Sequence, residues 1–290
     1  MSFDDGFILG LGIGRKLGGG GGTSDEWQFP TDWIDIPDPE SNQIVMLMDT
    51  SASLNTNGGT TMFGCYDDSG RYGGVTIDCG DGQVIEIPEG TGQNFQYGYS
   101  IRGQYIITVT SNNIDAINFS GISYSDYTAS SLRAIKVGAN MHLVGNAFES
   151  SLRGLTYAEF FGQAATSYYG LYNLQCIKAH TAPSEIKSSC FSSCYNLRYI
   201  YGLLDEITTL PSDSFYSCSN LKKISLPNLT AMNGGVRNCQ SLEVFSAPKL
   251  NAISNANDFI GCYSLKKLQV AEGCTYNNSF SDCPILTLDY

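Results

Sequence analysis

Hydrophobic residues recur at a long, regular interval through the second half of the chain. Each recurrence opens with a leucine, and apolar or small residues follow three and five positions later, as in Leu221, Ile224 and Leu226. Alternation at this spacing predicts a short strand with one buried face. The opening leucines are 20 to 24 residues apart, and they are Leu132, Leu152, Leu174, Leu197, Leu221, Leu242, Leu265 and Leu286.

The repeat predicts a solenoid. A single short strand cannot bury its own apolar face, but similar strands can do so by stacking in a parallel sheet. We therefore expect residues 116–290 to form coils of one strand each, with a period in the range of leucine-rich repeats. The last coil carries Asp289 where the others carry an apolar residue, as a polar terminal cap would.

Cysteine has a fixed place in the repeat, three residues before the leucine. It fills that place at Cys194, Cys218, Cys239, Cys262 and Cys283, and Leu171 fills it in an earlier coil. A slot that also accepts leucine predicts buried thiols rather than disulfides, zinc ligands or a catalytic nucleophile. With a phenylalanine three residues earlier, the motif reads F-x-x-C-x-x-L and resembles the BspA-type leucine-rich repeat. That family occurs in bacterial surface adhesins and in phage and protist proteins.

Residues 41–115 show short strands and glycine-rich turns, a pattern typical of a β-sandwich. Residues 74–87 predict a hairpin that turns at Asp81-Gly82, where we interpret the aspartates as turn residues rather than calcium ligands. The segment Asp78-Cys79-Gly80-Asp81-Gly82, with Tyr97, Tyr99, Gly103 and Tyr105, resembles a polycystic-kidney-disease (PKD)-type immunoglobulin-like domain. Cys79 and Tyr97 stand where that family has Trp and His. The resemblance implies an Ig/PKD-like β-sandwich that serves as a spacer or adhesion module.

The first 40 residues divide into two segments. Residues 1–24 are a short segment that ends in a flexible run of glycines, and their charges are arranged in the reverse order of a secretory signal. Residues 25–40 form an extended acidic strap, because three prolines prevent a helix. The aromatic residues of the strap either pack on the following domain or dock on another subunit.

Charge and composition exclude several functions. The net charge is −12, and residues 1–115 hold 16 acids and 4 bases against 12 of each in the remainder. An acidic chain gains no counterion-release affinity, so we expect no nucleic-acid partner. Apolar runs are too short for a membrane span. The chain has only two histidines, and the solenoid has no paired carboxylates. We therefore expect no enzymatic activity, such as glycan hydrolysis, and no metal or cofactor.

Basic residues concentrate at the strand positions that point away from the predicted core. They either solubilise the sheet and protect it from other sheets, or form a cationic surface for an anionic glycan or cell-surface polymer. The candidate ligand-binding residues are Arg133, Lys136, Arg153, Lys178, Arg198, Lys222, Lys223, Lys266 and Lys267, joined by Tyr199 and Tyr201.

The order of the parts resembles virion proteins of tailed bacteriophages. That resemblance implies a non-enzymatic structural protein of the virion, namely a tail fibre, tail-tip protein or capsid-decorating adhesin, whose solenoid meets a host glycan or receptor. Residues 1–40 would dock to other virion proteins through Phe7, Ile8, Leu9, Trp27, Phe29 and Trp33. The alternative is a BspA-like adhesin at a bacterial cell surface. Either protein could be a homo-oligomer, although no segment specifies one.

Overall fold

The computed structural model describes residues 26–51, 60–64, 74–90, 94–112, 116–118, 131–144, 152–255, 257–277, 280 and 282–288. The described chain is mostly β, as the sequence predicts. Its strands are β1 (Gln43–Asp49), β2 (Thr60–Gly64), β3 (Val75–Asp78), β4 (Val84–Ile87), β5 (Asn94–Gly98), β6 (Gln104–Ser111), β7 (Ala116–Asn118), β8 (Leu132–Val137), β9 (His142–Val144), β10 (Tyr157–Gln163), β11 (Cys176–Thr181), β12 (Tyr199–Tyr201), β13 (Thr209–Leu210), β14 (Lys223–Ser225), β15 (Ala231–Met232), β16 (Val244–Ala247), β17 (Ala252–Ile253), β18 (Lys267–Val270), β19 (Thr275–Tyr276) and β20 (Thr287–Leu288).

One eight-stranded sheet joins the N-terminal region to the first coils of the solenoid. Its strand order is β12-β11-β10-β8-β1-β6-β3-β4. Strand β1 is antiparallel to both of its neighbours, β6 and β8, whereas β8, β10, β11 and β12 run parallel to one another. The sheet therefore crosses the predicted division between residues 115 and 116 without interruption.

A second sheet, in the order β5-β2-β7-β9, also crosses this division, because β7 and β9 come after residue 115. The side chains of Phe95 and Tyr99 share one apolar core with Ile77 and Ile107 of the eight-stranded sheet. That core continues into the solenoid rather than closing on itself. The two sheets thus share a core, and the Ig/PKD-like β-sandwich stays a prediction.

The predicted hairpin forms around the DCGDG segment. Strands β3 and β4 pair antiparallel, and the turn between them has positive φ angles of 80° at Gly80 and 91° at Gly82. The carboxylate of Asp78 accepts a hydrogen bond from the Gly80 amide at 2.9 Å, and that of Asp81 accepts one from the Gln83 amide at 3.1 Å. Both aspartates therefore stabilise the turn.

The solenoid has the predicted parallel stacking. After β12 the strands resume as a parallel sheet in the order β14-β16-β18-β20, and each coil adds one strand. The repeat leucines from Leu174 to Leu265 are fully buried. Phenylalanine rings of successive coils also stack, with Phe191 and Phe215 having centroids 4.9 Å apart.

The frame of the second coil differs from the prediction. The amide of Leu155 bonds to the carbonyl of Leu152, just as the Leu174 amide bonds to the Leu171 carbonyl, so Leu155 is the repeat leucine and Leu152 fills the cysteine slot. Strand β10 then aligns Ala158 with Ile135 as the inward residue. The prediction that Tyr157 points inward and Arg153 lies on the strand was wrong, because two leucines three residues apart both fit the pattern.

The buried cysteines connect neighbouring coils. The thiol of Cys218 donates a hydrogen bond to the carbonyl of Phe191 at 3.1 Å, and that of Cys239 donates one to the carbonyl of Phe215 at 3.0 Å. The nine described cysteines are all buried and free of disulfides. Cys218 and Cys239 thus each bond to the carbonyl of the phenylalanine in the preceding coil, and this contact explains the F-x-x-C spacing.

Candidate binding face of the solenoid

The side chains at the first, second and fourth positions after each repeat leucine point away from the core and define the outer face of the parallel sheets. Strand pairing aligns Ala134, Tyr157, Cys176 and Tyr199 in one row of this face. The parallel row on the later coils holds Lys223, Val244 and Lys267. This row is therefore apolar and aromatic in the early coils and mostly basic in the later ones.

Residues 27–38 of the strap cover the early half of the outer face. Trp27 stacks on Tyr157 with ring centroids 6.1 Å apart, and Phe29 meets the same tyrosine edge-on at 4.7 Å. The Trp27 amide also donates a hydrogen bond to the hydroxyl of Tyr201 at 3.0 Å. Trp33 packs against the same cluster. The predicted docking residues Trp27 and Trp33 thus pack on their own chain, while Phe29, despite its contact with Tyr157, remains 43% exposed.

A buried carboxylate fixes the far end of the strap. Glu159 accepts hydrogen bonds from the Tyr157 hydroxyl at 2.7 Å, and its other oxygen lies 2.8 Å from both Lys178 Nζ and His180 Nε2. Lys136 Nζ lies 3.8 Å from this carboxylate and 2.6 Å from that of Asp38 in the strap. These contacts form the Glu159 cluster, a chain of charges that runs from strands β8, β10 and β11 to the strap.

The ionisation of Glu159 follows from these partners. Burial would raise the pKa of its carboxyl, but hydrogen bonds from Lys178, His180 and Tyr157 outweigh that effect and hold the pKa below its ordinary value. Burial, together with the hydrogen bond to Glu159, raises the pKa of the Tyr157 hydroxyl. The cluster is therefore an ionised acid with its acceptor positions already occupied, which suits a structural contact better than proton transfer.

The later half of the outer face is open, and a cleft lies where it meets the covered half. The cleft has a volume of about 710 Å³ and lies between strands β12 and β14. Its lining residues include Arg198, Tyr199, Tyr201, Asp205, Asn220, Lys222, Lys223 and Glu243.

The structure separates the predicted ligand-binding residues into three groups. Arg198, Tyr199, Tyr201, Lys222 and Lys223 come together in the cleft. Four others pair with carboxylates: Arg133 with Asp49 at 3.7 Å, Lys136 and Lys178 with Glu159, and Lys266 with Glu243 at 2.9 Å. Lys267 lies on β18 away from the cleft, and Arg153 lies in a turn. The docking residues Phe7, Ile8 and Leu9 fall outside the described residues.

Sequence reasoning missed Glu159 and His180. Once the second coil is placed in its correct frame, Glu159 aligns with Lys136 and Lys178 of the adjacent strands. An acid between two aligned lysines predicts a cross-strand ion pair, and the frame error concealed that signal. Asp205 and Asn220 were also missed, because they lie in turns that carry no repeat signature.

The described part of the chain has neither a metal-ligand cluster nor a membrane-spanning helix. Among those residues there is no group of three or more His, Cys, Asp or Glu side chains placed to hold a metal ion. Nor does that part include a helix with the length and apolar character needed to cross a bilayer.

Comparisons with known proteins identify the repeat. Two solved structures are similar: a leucine-rich repeat protein from Bacteroides ovatus, 18% identical with a TM-score of 0.38, and a leucine-rich repeat protein from T. pallidum, 15% identical with a TM-score of 0.31. The alignments cover 53% and 61% of this chain, and 47% and 86% of those proteins, so the chain spans about half the length of the B. ovatus protein. No curated protein matches. The family described as the BspA type leucine rich repeat region matches residues 163–287 in six copies, in agreement with the leucine-rich repeats that the sequence predicts for this part of the chain.

Proposed function

We propose that this chain is a non-enzymatic binding protein that recognises an anionic surface glycan through the open half of its outer face. Three exposed cations there, Arg198, Lys222 and Lys223, carry the proposal. Within the described chain, no carboxylate lies within 4.0 Å of any of the three. Cations that the fold does not neutralise attract an anionic ligand more strongly than paired ones do.

Leucine-rich repeats support a binding role because their stacked coils present a continuous surface built from successive strands. The Glu159 cluster is the nearest approach to a catalytic constellation in the described chain, yet its acid is buried and already has three hydrogen-bond partners. This arrangement supports binding rather than chemistry.

For the biological setting, the proposal is a bacteriophage structural protein, such as a tail fibre, tail-tip protein or capsid-decorating adhesin of the virion. The order of segments in the sequence supports it. Because Trp27 and Trp33 pack within the chain, docking to other virion proteins would fall to residues 1–24 and to the exposed ring of Phe29. A BspA-like adhesin on a bacterial surface is the alternative, and the BspA-type repeats favour it.

Binding to envelope glycans tests the recognition role. The variant that replaces Lys222, Lys223, Lys266 and Lys267 with serine removes four positive charges from the open half. We expect it to lose binding to bacterial cells and to purified envelope polysaccharide in flow cytometry and pull-down assays, while its circular dichroism spectrum is unchanged. Unchanged binding would show that this half of the outer face is not the recognition surface.

Localisation tests the setting separately. Antibodies against the chain should detect it in purified virions if it is a virion protein, and in cell-wall fractions free of phage if it is a bacterial adhesin. Detection only in cell walls would overturn the virion proposal and leave the recognition role intact.

A further inference from the structure

The parallel ladder of the solenoid is interrupted at one junction. In the adjoining coils, one carbonyl accepts two amides from the next coil: Gln175 accepts those of Arg198 and Tyr199 at 2.9 and 3.0 Å, and Lys222 accepts those of Glu243 and Val244 at 2.8 and 3.1 Å. Arg198 holds the equivalent position between them. Among the described residues, neither the Lys222 amide nor the Lys223 amide bonds to its carbonyl.

The same two coils are in close contact on their other sides. The Asn220 amide bonds to the Tyr195 carbonyl at 3.1 Å, and Cys218 and Phe191 are linked by the thiol hydrogen bond described above. Strands β13 and β15 of these coils are also paired. The separation is therefore confined to the strands β12 and β14, and the fixed edges around it hold the cleft open.

The interruption leaves polar backbone groups at the cleft between β12 and β14. A carbonyl and two amides that would normally be satisfied within a sheet are available to a ligand there. Arg198, Lys222 and Lys223 add three positive charges that have no described carboxylate within 4.0 Å. Tyr199 and Tyr201 add aromatic rings, held parallel with centroids 6.2 Å apart.

We infer that this cleft is a binding site for a short acidic oligosaccharide, one whose sugar rings carry carboxylates. Arg198 supplies the planar donor pair that matches a carboxylate, and the lysines supply further charge. Tyr199 and Tyr201 offer an apolar ring surface next to a hydroxyl, and Asn220 lines the same cleft. The volume of about 710 Å³ lies within the usual range of ligand pockets. The inference rests on the proposed function and localises its ligand.

The acids of the cleft distinguish this ligand from other anions. Asp205 and Glu243 also line the cleft. Glu243 pairs with Lys266 at 2.9 Å, but both carboxylates would still repel a dense polyanion. They are, however, acceptors for the hydroxyl groups of a sugar. A sugar with a single charge per ring can bond to the cations through its carboxylate and to the acids through its hydroxyl groups, whereas an ionised polyphosphate has no donor for the acids.

The test compares two variants of equal charge change. K222A/K223A removes two cations of the cleft, and K187A/K249A removes two exposed lysines that do not line it. Isothermal titration calorimetry would measure binding of trigalacturonate, with carboxyl-reduced trigalacturonate, tripolyphosphate and hexaglutamate as comparison ligands. An array of acidic and neutral glycans extends the search to other carboxylated sugars.

We expect the wild-type chain to bind trigalacturonate or another carboxylated glycan of the array, and to prefer it to the reduced form, the phosphate and the peptide. K222A/K223A should weaken this binding at least tenfold, and K187A/K249A should leave it unchanged. Equal weakening by both variants, tighter binding of hexaglutamate or tripolyphosphate, or no carboxylated glycan bound would overturn the inference. If K222A/K223A keeps cell binding that the four-lysine variant loses, the cleft is excluded and the proposed function survives. If neither variant loses cell binding, both the cleft and the proposed function are excluded.

Discussion

Replacing Glu159 with glutamine should loosen the strap from the outer face. The side chain of Glu159 is 5% exposed and that of its neighbour Lys136 is 8% exposed, so the change leaves a buried ammonium short of one counter-charge. Breaking a buried pair in this way costs about 3 to 5 kcal/mol. Lys136 keeps its ion pair with Asp38 at 2.6 Å, so we expect the loss of stability to lie at the lower end of that range, about 3 kcal/mol.

Tryptophan fluorescence reports on the strap specifically in this experiment. The chain has two tryptophans, Trp27 and Trp33, and both lie in the strap. Trp27 stacks on Tyr157, whose hydroxyl bonds to Glu159, so release of the strap should shift tryptophan emission to longer wavelength. In urea titrations of E159Q, the emission change should precede the loss of β-sheet circular dichroism, whereas the two should be closer together in the wild type.

An exposed glutamate provides the control. E185Q removes the same charge from a surface position and should change the free energy of unfolding by no more than about 0.5 kcal/mol. The reasoning would be refuted if E159Q and E185Q unfolded alike, or if the E159Q emission spectrum stayed at the wild-type wavelength until the sheet unfolded.

The acid dependence of stability tests the same cluster. Because the folded pKa of Glu159 lies below its ordinary value of 4.5, its ionised form stabilises the fold above that pH. The stabilisation is lost as the pH falls through the folded pKa. The difference between wild type and E159Q should therefore be largest near neutral pH and shrink in acid.

Three further predictions concern the turn and the coils. G80A should cost at least about 2 kcal/mol more than G82A in urea unfolding, because both glycines have positive φ but only at Gly80 would a Cβ overlap the Ile106 carbonyl. Burial raises the pKa of Cys194 to about 12, so iodoacetamide should not label its thiol in the native protein at pH 8, whereas mass spectrometry should detect labelling in denaturant. D258N should raise the unfolding free energy at pH 7 and change it little at pH 3: burial raises the pKa of Asp258, and the ionised form therefore destabilises the fold above that pKa. Equal costs for the glycine variants, rapid native labelling, or a D258N effect independent of pH would contradict these expectations.

The repeat was predictable because each coil repeats a local rule. A leucine with inward residues three and five positions later defines strand, face and stacking direction at once, and the order of coils follows from the chain. The rule failed where Leu152 and Leu155 both satisfied it, since only pairing with β8 and β11 decides between them. The resulting error of three positions placed Tyr157 in the core and hid the alignment of Glu159 with Lys136 and Lys178.

The cleft and the strap contacts depend on distances between coils, which no local pattern specifies. The aromatic residues of the strap predicted that it packs or docks, but its partner Tyr157 had been assigned to the wrong face. Nor could charge alone distinguish the lysines: Lys136 is buried in an ion pair, whereas Lys222 is exposed at the cleft. One signal for the cleft was available in the sequence, because the interval between Leu197 and Leu221 is the longest of the series at 24 residues.

The position of β1 has a practical consequence for anyone who wishes to produce the repeats alone. Strand β8 pairs with β10 along one edge and with β1 along the other. Strand β1 therefore protects an edge of the first coil that would otherwise be unpaired. A fragment beginning at residue 116 would leave one edge of the six-residue strand β8 unpaired, an arrangement that favours edge-to-edge aggregation. A fragment meant to stay in solution should therefore begin before Gln43 and carry β1 and β6 with the coils.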